Sequence, residues 1–315
     1  MAWLVDFESV PQSDRFYYGT VGRKVGIQWH TNYWALQYPA LASHKGTKPD
    51  QHYTTAPLSE FLSSHLYRQL GIAVQDTVLG LRDGRVVCAC KDVATTGEHL
   101  IEFKKLRNTL SDTLEVFVER PSYGSGVVLT DVIAALHHIP QFMDMPEVRH
   151  RFWDMFVIDA FTHNTKRNNM NWGLLAHSNG TFSLAPVYGN ACSFSYQQSL
   201  DAIDQIANDD QAIKQEALDV KSVYTTDAGA PIQALQYITG TDNTDCIAAL
   251  DRFIERYDSD TFQQVMQSIP TTSLGVPVIT DAYRRFQTAV LEYRLNRVLV
   301  PAWKQHHSAD LIDTY

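Results

Sequence analysis

Phe152-Trp153-Asp154-Met155-Phe156-Val157-Ile158-Asp159-Ala160-Phe161-Thr162-His163-Asn164-Thr165-Lys166-Arg167-Asn168-Asn169-Met170-Asn171-Trp172-Gly173-Leu174-Leu175 carries three local instructions in succession. Up to Thr162 the apolar residues continue a helical repeat that starts near Glu147. From His163 to Asn171 the chain is polar and rich in asparagine, whose side chain hydrogen-bonds its own backbone and favours turns. Trp172 to Ala176 then reads as a strand, Asn179-Gly180 as a tight turn, and Thr181 to Pro186 as the returning strand of a β-hairpin. By itself the polar middle is no more than a turn after an amphipathic helix.

Upstream, Phe16 to His30 and Asn32 to Gln37 are aromatic and β-branched, broken by Gly19, Gly22 and Gly26, and predict twisted antiparallel strands. Leu41 to Thr54 is polar and predicts a loop. Pro57 opens a helix carried by Leu58, Phe61, Leu62, Leu66 and Leu70 and stopped by Gly71. Strands over Ala73 to Leu81 and Arg85 to Val93 follow, joined by Asp83-Gly84. Beyond them, apolar spacing predicts helices near Glu98 to Asn108, Leu129 to His137, Asp201 to Leu218, Ala230 to Tyr237, Asp245 to Tyr257 and Asp281 to Lys304. The expected class is α+β, with a β-rich lobe over residues 1–93 and a mainly helical lobe with an embedded hairpin over 94–315.

Two stretches in order, joined by the hairpin, resemble the HipA/CtkA-like serine/threonine kinase family. His163 to Gly173 is similar to that family's Asn-x-Asp-Arg-His-x-x-Asn-Trp-Gly catalytic loop. Leu184-Ala185-Pro186-Val187-Tyr188-Gly189-Asn190-Ala191-Cys192-Ser193 is similar to its Ala-Pro-Val-Tyr-Asp-Asn-Gly-x-Ser. Tyr33 to Pro39, Leu58-Ser59-Glu60-Phe61, and Gly71 to Gly80 with Val86 to Asp92 extend the resemblance over roughly Gly19 to Ser193. It implies a bilobal kinase-like fold.

The resemblance also implies a chemistry, and the chain departs from it. Phosphoryl transfer needs a lysine on the nucleotide phosphates, metal-binding oxygens and a carboxylate that receives the hydroxyl proton. At those positions stand Gln37, which carries no charge; Lys166, a poor proton acceptor unless its pKa were strongly depressed; and Gly189, which has no side chain. Asn171 and Glu60 are retained, and Asn171 alone is a weak Mg²⁺ site, because that ion is bound through carboxylates and phosphates. The exchange reverses the sign of the site. The expectation is a pseudokinase that acts by binding a nucleotide, a protein partner or both. Its candidate ligand is ATP or another nucleotide without Mg²⁺, its candidate binding residues are Lys24, Glu60, Lys91, Lys166 and Asn171, and its partner is a regulatory protein of the toxin-antitoxin kind. The alternative is a divergent ATP-dependent serine/threonine kinase or other nucleotide transferase built around Lys24, Lys166, Asn171 and Asp159. Lys24 and Lys166 each remain readable as solvated lysines.

Composition sets outer limits. The chain has 315 residues, 44% of them hydrophobic, and a net charge of −9, which argues against sequence-independent nucleic-acid binding. Its four cysteines match neither a metal motif nor a disulfide framework, and Cys88 and Cys90, on one strand face, read as core thiols. Met1 to Glu8 turns acidic before any apolar run develops, and no stretch is long enough to cross a bilayer, so a cytoplasmic protein is expected.

Overall fold

The computed structural model describes residues 4–15, 17, 21–42, 53–106 and 127–309. Strands β1 (Val5–Asp6), β2 (Lys24–Trp29), β3 (Asn32–Gln37), β4 (Thr77–Arg82) and β5 (Arg85–Lys91) form one sheet in the order β1-β4-β5-β3-β2. Only β1 pairs parallel. The β4–β5 turn is the one its residues demand: Asp83 at φ 53° and Gly84 at φ 65° match the twist of the flanking strands.

Alternation along the strands gives the sheet two faces. On the outer face Val25, Ile27, Trp34, Leu36, Val87 and Ala89 pack with Phe7 into a small separate core. On the inner face Leu79, Leu81, Cys88 and Cys90 pack against Leu58, Leu62 and Leu66 of α1 (Ala56–Gln69) in the main core. All four cysteines are buried free thiols. Of the first expected strand, Phe16 and residues 18–20 lie outside the described residues and β2 starts at Lys24, while the start of the strand expected over Ala73 to Leu81 contributes only a bridge from Val74 to Val187. Of the expected Leu41 to Thr54 loop, residues 43–52 lie outside the described residues.

One expected helix is a strand. Glu98–Glu102 forms β6, antiparallel to β7 (Gly173–His177), which in turn pairs with β8 (Phe182–Leu184). Helix begins only at residues 103–106. A short apolar run such as Leu100-Ile101 fits either period, and pairing with β7 decides it. Gly173 makes the pairing possible, because a Cβ there would lie 2.0 Å from the Ile101 carbonyl oxygen.

The remaining helices are α2 (Leu129–His138), α3 (Pro140–Met143), α4 (Glu147–Thr162), α5 (Leu200–Ile206), α6 (Asp210–Leu218), α7 (Ala234–Gly240), α8 (Thr244–Arg256), α9 (Ser259–Ser268), α10 (Asp281–Arg294) and α11 (Val300–Ala309). The helix expected over Asp201 to Leu218 is two, because Asp209 caps α6 by accepting from Gln211 N and Ala212 N. The helix expected from Ala230 begins as strand β10 (Pro231–Gln233), paired with β9 (Lys221–Thr225). The last expected helix holds a π-helical turn, Leu295–Leu299, just before Pro301. Buried from Phe152 to Thr162 except at half-buried Asp154, α4 is the axis of this part and carries the polar loop at its end. Among the described residues no helix is long and apolar enough to cross a membrane.

Candidate active site

Between the inner face of the first sheet, α1 and the two quoted stretches lies a cleft of about 520 Å³. Lys24, Gln37 and Glu60 stand on its first wall; Asn171, Gly189 and Cys192 stand on the opposite one. The structure thus gathers most of the sequence-derived candidates, but not all. Lys91 lies outside the cleft, its amine 3.6 Å from Asp76 Oδ2. Strand parity explains this, since Cys88 and Cys90 occupy the inner face and Lys91 therefore the other. Lys166 is exposed and is not part of the wall. Its backbone is absorbed in the asparagine turn: its N–H donates to Asn164 Oδ1, and its carbonyl accepts from Asn168 Nδ2 and Asn171 Nδ2.

Gln37 is 1% exposed and its amide is already employed. Nε2 donates to the Tyr38 carbonyl at 2.9 Å and to the Val21 carbonyl, tying the turn before β2 to the end of β3. Gly22 in that turn has φ 66°, and a Cβ on it would stand 2.1 Å from Tyr38 O, so the lip of the cleft closes backbone on backbone.

Glu60, also 1% exposed, has no cation as partner among the described residues. Its Oε1 accepts from Gln75 Nε2 at 2.6 Å and from the Asn190 N–H at 2.9 Å. Asn171 is likewise engaged, with Oδ1 accepting from Asn168 N at 3.1 Å. Gly189 has φ 72° and offers the cleft no side-chain oxygen. Glu102, at the end of β6, adds a carboxylate with no hydrogen bond to another described residue. Sequence reading missed it, because an expected helix over Glu98 to Asn108 gave Glu102 no direction; only its register opposite Gly173 does. Among the described residues no group of three or more His, Cys, Asp or Glu side chains is placed to hold a metal ion.

Beneath the loop sits a frame that the sequence reading also missed. Arg167, 2% exposed, donates through Nε to Asp159 Oδ2 at 2.8 Å and through its other nitrogens to the Asn171 and Tyr188 carbonyls and to Asn190 Oδ1. Burial is the largest single effect and works against its charge, but the charge and hydrogen bond of Asp159 together with Tyr67 and Tyr224 outweigh it and raise its pKa. Asp159 also accepts from Tyr67 and Asn164, so it belongs to this frame and not to a reacting group, which removes it from the alternative transferase site. One guanidinium therefore joins both family-like stretches. It stands in the quoted motif, and that was its only signal.

A second link runs through Glu216 on α6. Its Oε1 meets His163 Nδ1 at 2.9 Å, where His163 ends α4 at φ 57°, and accepts from the Ser195 hydroxyl at 2.9 Å. Burial opposes the Glu216 charge, but His163, Arg294 and Ser195 together hold it below the ordinary value of 4.5. A folded value below the unfolded one gives stability that is present above pH 4.5 and lost as pH falls through the folded value. Glu216→Gln is expected to flatten the acid limb of a stability–pH curve measured by thermal denaturation; an unchanged limb would remove this role.

No family model matches the chain. It is 28% identical over 284 residues to the serine/threonine-protein kinase CtkA of Helicobacter pylori, covering 89% of this chain and 82% of that protein. The crystal structure of the H. pylori proinflammatory kinase CtkA shares the fold with a TM-score of 0.81, at 24% identity over 96% of this chain and 98% of that one. A chain from the Shewanella oneidensis toxin–antitoxin complex of HipA, HipB and operator DNA follows at a TM-score of 0.51 and 12% identity, covering 96% of this chain and 70% of its own length. With its two motif stretches set on one wall of the cleft, the α+β chain is similar in sequence to the CtkA kinase and shares the fold of the HipA/CtkA-like kinases.

Proposed function

We propose that the chain is a pseudokinase, a kinase-fold protein that binds a nucleotide, a regulatory protein or both without passing on a phosphate. One observation carries the reading: opposite Gln37 the cleft presents Gly189 and an Asn171 already bonded within its loop, while Lys166 turns to solvent. A site for phosphoryl transfer needs a proton acceptor and oxygens for the metal in those places. The partner proposed is a regulatory protein, by analogy with the HipA–HipB complex, and direct nucleic-acid contact is not expected from an acidic chain. Four buried free thiols suit a reducing cytoplasm.

Two measurements test this. Radiolabelled ATP is expected to leave no label on the protein or on a general acceptor above background. ATP is expected to raise the melting temperature equally with and without Mg²⁺, by the equivalent of about 2.7 kcal/mol at a hundred times Kd. Label incorporation would overturn the pseudokinase reading, and the absence of any shift would remove the nucleotide from it.

Glu102 favours a second reading, a divergent ATP-dependent serine/threonine kinase or other nucleotide transferase in which this carboxylate takes the hydroxyl proton. Incorporation that Glu102→Gln abolishes would establish it.

A further inference from the structure

In the register of the first sheet, Lys24 on β2 is the residue directly opposite Gln37 on β3. Directly opposed residues on one sheet face have Cβ atoms about 4.5–5.5 Å apart, and the four-carbon stem of lysine spans more than that. The same alternation that sends Val25 and Ile27 into the outer core turns Lys24 inward, and both Lys24 and Gln37 line the cleft. Gln37 spends its amide on the Val21 and Tyr38 carbonyls. Glu60, a carboxylate lining the same cleft, is satisfied by Gln75 and the Asn190 N–H. Among the described residues Lys24 has no carboxylate within ion-pair distance, although it stands half-buried on the wall. A half-buried ammonium without a counter-ion favours an anionic ligand, because the field between low-dielectric walls is concentrated there.

We propose that Lys24 is the anion anchor of the cleft and that its ligand is a polyphosphate ester, bound through the phosphates to β2 instead of β3. This rests on the nucleotide reading above and adds to it which strand supplies the charge. The roles on this wall are then divided: Gln37 fixes the lip through backbone carbonyls, and Lys24 neutralises the ligand. Because the ammonium itself offsets phosphate charge, binding needs no divalent ion and weakens with salt.

The test uses the full chain and measures calorimetric affinity for ATP, adenosine and inorganic tripolyphosphate in EDTA, for the wild type, Lys24→Gln, Lys24→Arg and Arg23→Gln. Circular dichroism and melting temperature verify each fold, and the exposed Arg23 serves as a neighbouring cation of equal charge. The expected result is an ATP and tripolyphosphate affinity reduced about tenfold to a hundredfold in Lys24→Gln, largely kept in Lys24→Arg and unchanged in Arg23→Gln, with adenosine indifferent to all three. If wild type binds ATP and Lys24→Gln binds it equally, the anchor is overturned while the nucleotide reading stands. If Arg23→Gln loses as much as Lys24→Gln, the attraction is diffuse and the anchor is overturned as well. If wild type binds neither ATP nor tripolyphosphate, the nucleotide reading falls and takes the anchor with it.

Discussion

Replacing Arg167 by methionine is expected to cost the fold about 3–5 kcal/mol, the largest loss of any single polar change in the molecule. The reason is what remains behind. Asp159 is 7% exposed and would keep only the Tyr67 hydroxyl and the Asn164 amide, both at 3.1 Å, for a buried negative charge. The Tyr188 and Asn171 carbonyls and Asn190 Oδ1 would lose a donor in the same step. Urea denaturation checks the size. The double variant Asp159→Asn with Arg167→Met should recover part of the loss, since no unpaired charge is left; if it falls further than Arg167→Met alone, the uncompensated carboxylate is not the cause. Both family-like stretches hang on this guanidinium, so Arg167→Met should also raise hydrogen exchange in both.

Gly173→Ala is expected to be strongly damaging for so small a change. Its added carbon would meet Ile101 O at 2.0 Å, Ile101 C at 2.9 Å and Glu102 Cα at 3.0 Å, all backbone and none able to swing aside. Overpacking of this kind costs about 1–3 kcal/mol, and contact with backbone puts it at the upper end. The relief available is separation of β6 from β7, which would free the Phe103 N–H from Trp172 O and carry Glu102 away from the cleft. Gly180→Ala is the control. Gly180 has φ 83° but no atom within 4 Å of the added carbon, so its cost is the left-handed conformation alone, about 1–2 kcal/mol. Urea midpoints for the two variants decide the matter: equal losses would mean that the strand approach is not tight.

What could be read in advance followed from local chemistry. Asp83-Gly84 fixed a hairpin, the Leu58–Leu70 repeat fixed α1, and the order of motif, hairpin and motif brought Asn171 and Gly189 to one wall. What escaped depended on partners distant in sequence. β6 is a strand because β7 lies beside it, and Glu102 reaches the cleft only through that pairing. Lys91, a candidate binding residue in the sequence, lies on the opposite strand face from Cys90 and so outside the cleft lining. Lys166 keeps the position of an acidic residue in the motif, yet three asparagine side chains organise the turn around its backbone and leave its side chain in water. Arg167 was visible throughout, but nothing local shows that an arginine will be enclosed.

The hold of Glu60 on the Asn190 N–H has a bearing on how this molecule can communicate. In a design where the helix acid waits for a cation, occupancy can swing the helix and broadcast the event. Here the carboxylate is already spoken for by groups of the protein itself, Gln75 and the Asn190 N–H, so α1 is tied across the cleft without a cation. Any message about its contents must leave by the rim, where the turn around Gly22 and the exposed Met170 are the parts a second protein could feel.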